Sequence, residues 1–180
     1  HTAYRRQRQM CIRDRHHRRT SLLVVTSASA GELVDEIARA AAVADARIAV
    51  AESLTSGNIA ARLGRGQNAS QWFAGAVVAY SVDVKTTVLG MTRGLDPVSS
   101  AAAQELARGV RELTDATIAV SATGVGGPQD QDGHPAGTVY LGWSTAFEEG
   151  SRLLECSDDP AKALEDTVES ALQEIRRLLP

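Results

Sequence analysis

Arg47-Ile48-Ala49-Val50-Ala51-Glu52-Ser53-Leu54-Thr55-Ser56-Gly57 is the stretch on which the reading of this chain turns. Its first half is apolar enough for a strand, and it delivers Ser53 onto a turn of small residues that opens the next helix. A serine at a strand-to-helix junction sits on a sharp bend near the unpaired N–H groups of the helix start, which can hold negative charge on a substrate oxygen. Thr55 and Ser56 add hydroxyls beside it, and Gly57 lets a ligand approach the backbone closely, so all three are candidate substrate contacts. The competing reading is structural: a Ser or Thr that merely caps a helix over residues 57–63. The flanking sequence has to decide between them.

Upstream, Leu33, Val34, Ile37, Ala38 and Ala41 recur at helical spacing and predict a helix over 31–45. Downstream, Ala74-Gly75-Ala76-Val77-Val78-Ala79-Tyr80 reads as a strand buried on both faces, followed by a short helix over 83–89 that Gly90 stops. A longer helix over 99–114 places Ala102, Leu106, Val110 and Leu113 on its buried stripe. Residues 117–121 form another strand, which runs into the loop Thr123-Gly124-Val125-Gly126-Gly127-Pro128. Strands over 138–143 and 152–156 pair across the turn between them, and a last helix begins with Asp159 as cap and Pro160 in its first position. Strands alternating with helices predict an α/β fold, a three-layer α/β/α sandwich with a largely parallel sheet, as a single domain over residues 20–180.

Composition narrows the function classes. With 180 residues, 43% hydrophobic and 4% aromatic, the chain can bury one sizeable core, and no stretch is long and apolar enough to span a membrane. Cys11 and Cys156 lie far apart without metal-ligand spacing, so neither a disulfide framework nor a metal site is indicated, and a reducing cytoplasm fits. Residues 1–19 carry seven arginines against the single acid Asp14, while the remainder holds 12 basic and 21 acidic residues. That acidic body argues against nucleic acid as a partner. Met10-Cys11-Ile12-Arg13-Asp14-Arg15 matches the in-frame translation of a transposon end used in preparing sequencing libraries. Residues 1–19 are therefore expected to be non-native and dispensable, and their deletion is expected to leave folding and activity unchanged.

A nucleophilic Ser53 needs a base. Outside the arm the only histidine is His134, in a Gly/Pro/Asp-rich loop where a surface role is the ordinary one, so a Ser-His-Asp triad is disfavoured. Beyond the arm the chain uses ten arginines and only two lysines, Lys85 and Lys162. Arginine cannot give up its proton near neutral pH, whereas a desolvated lysine can accept one. Lys162 lies on an exposed helix face; Lys85 follows a strand, at the end of the sheet where clefts form in open α/β folds. Tyr80 ends that strand, where its phenol is placed to relay a proton or, on the plain reading, to pack at the rim of the core. Gly124, Gly126 and Gly127 expose backbone N–H groups in a nest suited to phosphate or carboxylate, without the ending of an ATPase phosphate loop. Asp130 and Asp132 read as solvated loop acids.

These motifs, together with Pro135-Ala136-Gly137-Thr138-Val139-Tyr140, occur in an order that strongly resembles the C-terminal domain of the competence/damage-inducible protein family, from about Gly31 to the C-terminus. The resemblance implies an α/β/α domain that hydrolyses nicotinamide mononucleotide to nicotinate mononucleotide and ammonia, without a cofactor. It implies Ser53 as nucleophile, Lys85 as base or activating cation, and Tyr80 and Thr123 as supporting hydroxyls. Helix-start N–H groups would hold the oxyanion, and the glycine-rich loop would hold the 5′-phosphate. The implied partners are a small-molecule nucleotide and, by resemblance alone, a second copy in a homodimer or larger homo-oligomer. Two positions depart from the family pattern, Leu54 where Cys is usual and Ser56 where Gly is usual; Leu54 is expected to point into the core and Ser56 to lie beside the substrate. A non-catalytic nucleotide-binding module that partners another domain, and a phosphate-ester hydrolase, stand as alternatives.

Overall fold

The computed structural model describes residues 30–180; the arm over 1–19 and residues 22–26, whose sequence suits a short strand or part of a misjoined terminus, lie outside the described residues. The elements run α1 (Ala30–Ala44), β1 (Ile48–Glu52), α2 (Asn58–Leu63), α3 (Ala69–Trp72), β2 (Phe73–Val78) and α4 (Val82–Leu89). They continue with α5 (Ser100–Thr114), β3 (Ile118–Gly124), β4 (Thr138–Thr145), β5 (Glu149–Glu155) and α6 (Pro160–Leu178). One five-stranded sheet has the order β2-β1-β3-β4-β5. Its first half is parallel, Val50 pairing with Ala76 on β2 and with Val120 on β3; its second half is an antiparallel run through β4 and β5. The three-layer α/β/α architecture is as expected, with parallel character confined to β2-β1-β3.

The two faces of the sheet differ in a way the strand period dictates. Side chains alternate along a strand, so Ile48 and Val50 point to one face while Ala49 and Ala51 point to the other. The face with the larger side chains packs under α1, α2 and α6, where Ile37, Ile59, Leu63, Leu172 and Ile175 are completely buried. Each such side chain contributes roughly 1.5–3 kcal/mol relative to exposure. On the other face the small residues let α5 ride close to the sheet: Ser121 Oγ donates to the Ala103 carbonyl at 2.6 Å, and a Cβ at Gly142 would overlap Ala103 backbone.

Two expectations need correction. β2 is an edge strand, so its small apolar residues are half-exposed rather than buried on both faces, and Val78 is 46% exposed. Leu113 leaves the buried stripe of α5 and is 56% exposed. The topology also fixes where a site can form. β1 connects outward to β2, and the chain then crosses back to β3 on the other side of β1, so the C-terminal ends of β1 and β3 flank a switch point where open α/β sheets leave a crevice. Ser53 follows β1, Tyr80 follows β2 and Thr123 ends β3 at that edge.

Candidate active site

The turn after β1 is held from both sides. Ser53 N–H continues the β1–β3 ladder to the Ala122 carbonyl at 3.0 Å, and Ser56 N–H closes back on the Ser53 carbonyl at 3.1 Å. The Glu52 side chain, 1% exposed, takes the start of α2: its carboxylate accepts from Gly57 N–H at 2.9 Å, Ile59 N–H at 3.2 Å and Ala60 N–H at 2.8 Å. A carboxylate at this position satisfies orphan amides and complements the helix dipole at once. The α2 amides are therefore not free to hold an oxyanion, which corrects the sequence expectation. The backbone N–H groups of Leu54 and Thr55 have no acceptor among the described residues, and the residue after a nucleophile on such an elbow is a usual oxyanion donor.

Lys85 meets Ser53 from the neighbouring strand-to-helix junction. Ser81 caps α4 by accepting from Val84 N–H at 3.3 Å, and the first turn of that helix directs Lys85 back under the end of β2. Lys85 Nζ lies 2.9 Å from Ser53 Oγ, 2.8 Å from the Ala79 carbonyl and 3.1 Å from the Tyr80 carbonyl. The side chain is buried and makes no ion pair among the described residues. Burial pushes the ammonium below the usual lysine range, because no carboxylate is present to restore the charged form. In the neutral amine two hydrogens can satisfy the two carbonyls, which leaves the lone pair for Ser53 Oγ.

A cavity of about 310 Å³ opens over this pair, at the small end of the range for small-molecule sites. Ser53, Lys85, Tyr80 and Thr123 line it, as do Gly124, Gly126 and Gly127. Thr123 Oγ1 donates to the Pro97 carbonyl at 2.7 Å, so its lone pairs face whatever else approaches. Tyr80 contributes its carbonyl to Lys85 while the residue is 70% exposed, and its phenol has no partner among the described residues. The Gly126 and Gly127 amides have no acceptor there, whereas Val125 N–H is committed to the Thr138 carbonyl at 2.9 Å.

Thr55, Ser56 and Gly57 are not part of the cavity wall, contrary to the sequence expectation. Thr55 is buried with its Oγ1 unpartnered, Ser56 is exposed, and the Gly57 amide serves Glu52. Of the two departing positions, Leu54 packs against the core as expected, whereas Ser56 does not lie beside the cavity. Leu54 lines the cavity next to Ser53 while packing against the larger core, and Ser56 stands off it in a left-handed conformation at φ 49°. The mid-turn position needs positive φ, for which glycine carries no Cβ penalty; that is the demand Ser56 meets at a cost. His134 pairs with Asp96 at 2.8 Å on the loop rim, and Asp130 accepts from Ala136 N–H at 3.0 Å. Among the described residues no cluster of potential metal ligands occurs.

Glu52 is the functional residue that reading the sequence missed. Its signal was present, an acid five residues ahead of a helix start, but a strand-ending glutamate reads equally as a surface residue until its burial is known.

A buried serine–lysine pair thus sits at the switch point of an α/β domain. The CinA C-terminal domain model matches residues 30–179, and the chain belongs to that family. A CinA-like protein of Salinibacter ruber is 40% identical over 140 residues, covering 75% of this chain and 34% of the relative. One from Frankia casuarinae is 38% identical over 138 residues, covering 74% and 32% respectively. The matched part of the chain thus spans about a third of the length of these relatives. Among solved structures, a CinA superfamily protein of Klebsiella pneumoniae matches with TM-score 0.79 and 29% identity, over 83% of this chain and 97% of that one. An Escherichia coli CinA superfamily protein matches with TM-score 0.81 and 26% identity, over 87% and 95%. Among the described residues no helix is long and apolar enough to cross a membrane.

Proposed function

We propose that the chain is a cytoplasmic amidohydrolase that converts nicotinamide mononucleotide to nicotinate mononucleotide and ammonia through a Ser–Lys mechanism, in pyridine nucleotide recycling. The observation that carries the reading is the 2.9 Å approach of Lys85 Nζ to Ser53 Oγ, with the remaining Nζ contacts going to backbone carbonyls and none to a carboxylate. Neutral Lys85 takes the Ser53 proton as Oγ bonds to the carboxamide carbon, and the Leu54 and Thr55 amides are the available donors to the oxyanion. The C–N bond then breaks, and the proton held on Lys85 passes to the departing nitrogen, giving ammonia and an acyl-serine. Water gives a proton to Lys85 as it attacks the acyl carbon; the C–Oγ bond breaks and the serine is reprotonated.

The test is release of ammonia and nicotinate mononucleotide by the full chain, without added metal, beside Ser53→Ala. Serine-dependent formation of both products in equal amounts is the expected result; a folded protein that forms neither overturns the reading. One observation favours a second reading: the chain matches only about a third of the length of its curated relatives, as a module serving another domain would. Saturable nucleotide binding without ammonia release is the outcome that belongs to that reading.

A further inference from the structure

The helix starts beside the cavity are already occupied by the protein's own acids. A helix start is a ready anion site, and two lie close by. The first, at α2, is closed by the Glu52 carboxylate. The second, at α6, begins with Pro160, which lines the cavity and has no N–H to offer. The next amides of α6, those of Ala161 and Lys162, donate to Asp159 Oδ1 at 2.9 and 3.0 Å. The Lys162 ammonium pairs with Asp166 at 3.1 Å.

The wall itself repeats the pattern. Lys85 is its one cation among the described residues, and its Nζ is taken up by Ser53 and two carbonyls. Away from that end, the wall presents Gln129, Gln131 and the carboxylate of Asp132, with Leu164 as an apolar patch. The donors left for a substrate's far end are neutral: the Gly126 and Gly127 amides and the Gln129 side chain, while Gln131 Nε2 already donates to Asp132 at 3.3 Å. A phosphate dianion is normally met by arginine, lysine or a free helix start, and here it would approach a carboxylate on an acidic body.

We infer that the site selects a carboxamide carried by an uncharged or cationic nucleoside, and that the pyridinium riboside lacking the phosphate serves at least as well as the mononucleotide. The inference deepens the amidohydrolase reading and rests on it for turnover, though not for binding. The cationic pyridinium ring with a neutral ribose suits both Asp132 and the acidic body, whereas the added phosphate gains only neutral donors.

The experiment compares nicotinamide riboside with nicotinamide mononucleotide in two ways: kcat/KM for ammonia release by the full chain, and Kd for the Ser53→Ala full chain. The expected result is a riboside value equal to or better than that of the mononucleotide in both. Gln129→Lys, which places a cation on the wall, is expected to move the ratio about tenfold toward the mononucleotide, through KM rather than kcat. A mononucleotide preference beyond threefold in either comparison, or no saturable riboside binding, overturns the inference. Absence of ammonia from both compounds removes the amidohydrolase reading alone, since the Kd ratio still decides the question of phosphate.

Discussion

The two ends of the cavity are built on opposite plans. At the Ser53 end, side chains are buried and tied to backbone on three different elements: Glu52 to α2, Lys85 to the end of β2, Ser53 to β3. At the other end, residues 129–132 are exposed, and the loop is fastened by its own Gln131–His134 bridge and by the pair between His134 and Asp96. Reactive atoms need placement within a fraction of an ångström, which buried ties supply; recognition of the rest of a substrate tolerates a looser wall. Substitutions at the first end are therefore expected to act on kcat and stability, and those at the second on KM.

The largest effects belong to the pair itself. Ser53→Ala and Lys85→Ala should each lower kcat/KM by on the order of 10²–10⁴ or more, measured as ammonia release, with the double variant no worse than either single one because the two act as a unit. Glu52→Ala comes next. It strands three amides at the start of α2 and should lower unfolding free energy by about 2–4 kcal/mol in urea titrations; a loss below about 0.5 kcal/mol would mean the turn does not depend on this carboxylate. Leu54→Ala should raise KM several-fold with a smaller change in kcat, since Leu54 lines the cavity without touching the proton path. Ser56→Gly should be the mildest change, stabilising the fold by about 0.5–1 kcal/mol through relief of its positive φ while leaving KM alone. A raised KM for Ser56→Gly, with Leu54→Ala silent, would reverse the assignment of the two positions.

Titration of Lys85 gives the same comparison a second axis. Its folded-state pKa lies below the ordinary value of 10.5, so between the two the unfolded chain binds the extra proton and stability rises with pH across that window. Below the folded pKa both states are protonated and the burial cost is fully present. Lys85→Met should remove this slope from the pH dependence of unfolding; an unchanged slope would mean another group carries it.

How much of this was legible in the sequence follows from what each signal depends on. The β1-Ser53 junction, the cap at Asp159, and the β4–β5 hairpin rest on local chemistry, and they stand where the residue patterns put them. The edge position of β2 was not legible, because Ala74, Gly75 and Ala76 are compatible with a central strand or an edge until the neighbours are known. The 2.9 Å contact between Ser53 and Lys85 spans 32 positions, and no local pattern shows it; the rarity of lysine, the place of Lys85 after a strand and the family resemblance pointed to it. That Leu54 lines the cavity as well as the core, and that Ser56 stands off it, was hidden for a related reason. In a tight turn the direction of each side chain is set by φ, and the positive φ of Ser56 cannot be read from residue type when the residue is not glycine.

Whether Lys85 works as a neutral base or as a fixed charge is decided by the pH profile of kcat/KM for the wild type beside Lys85→Arg. The wild-type rate should rise tenfold per pH unit up to the lowered pKa of Lys85 and then level, with Lys85→Arg near background at every pH. An arginine variant that retains activity would contradict the base role, since arginine supplies the charge and cannot supply the base.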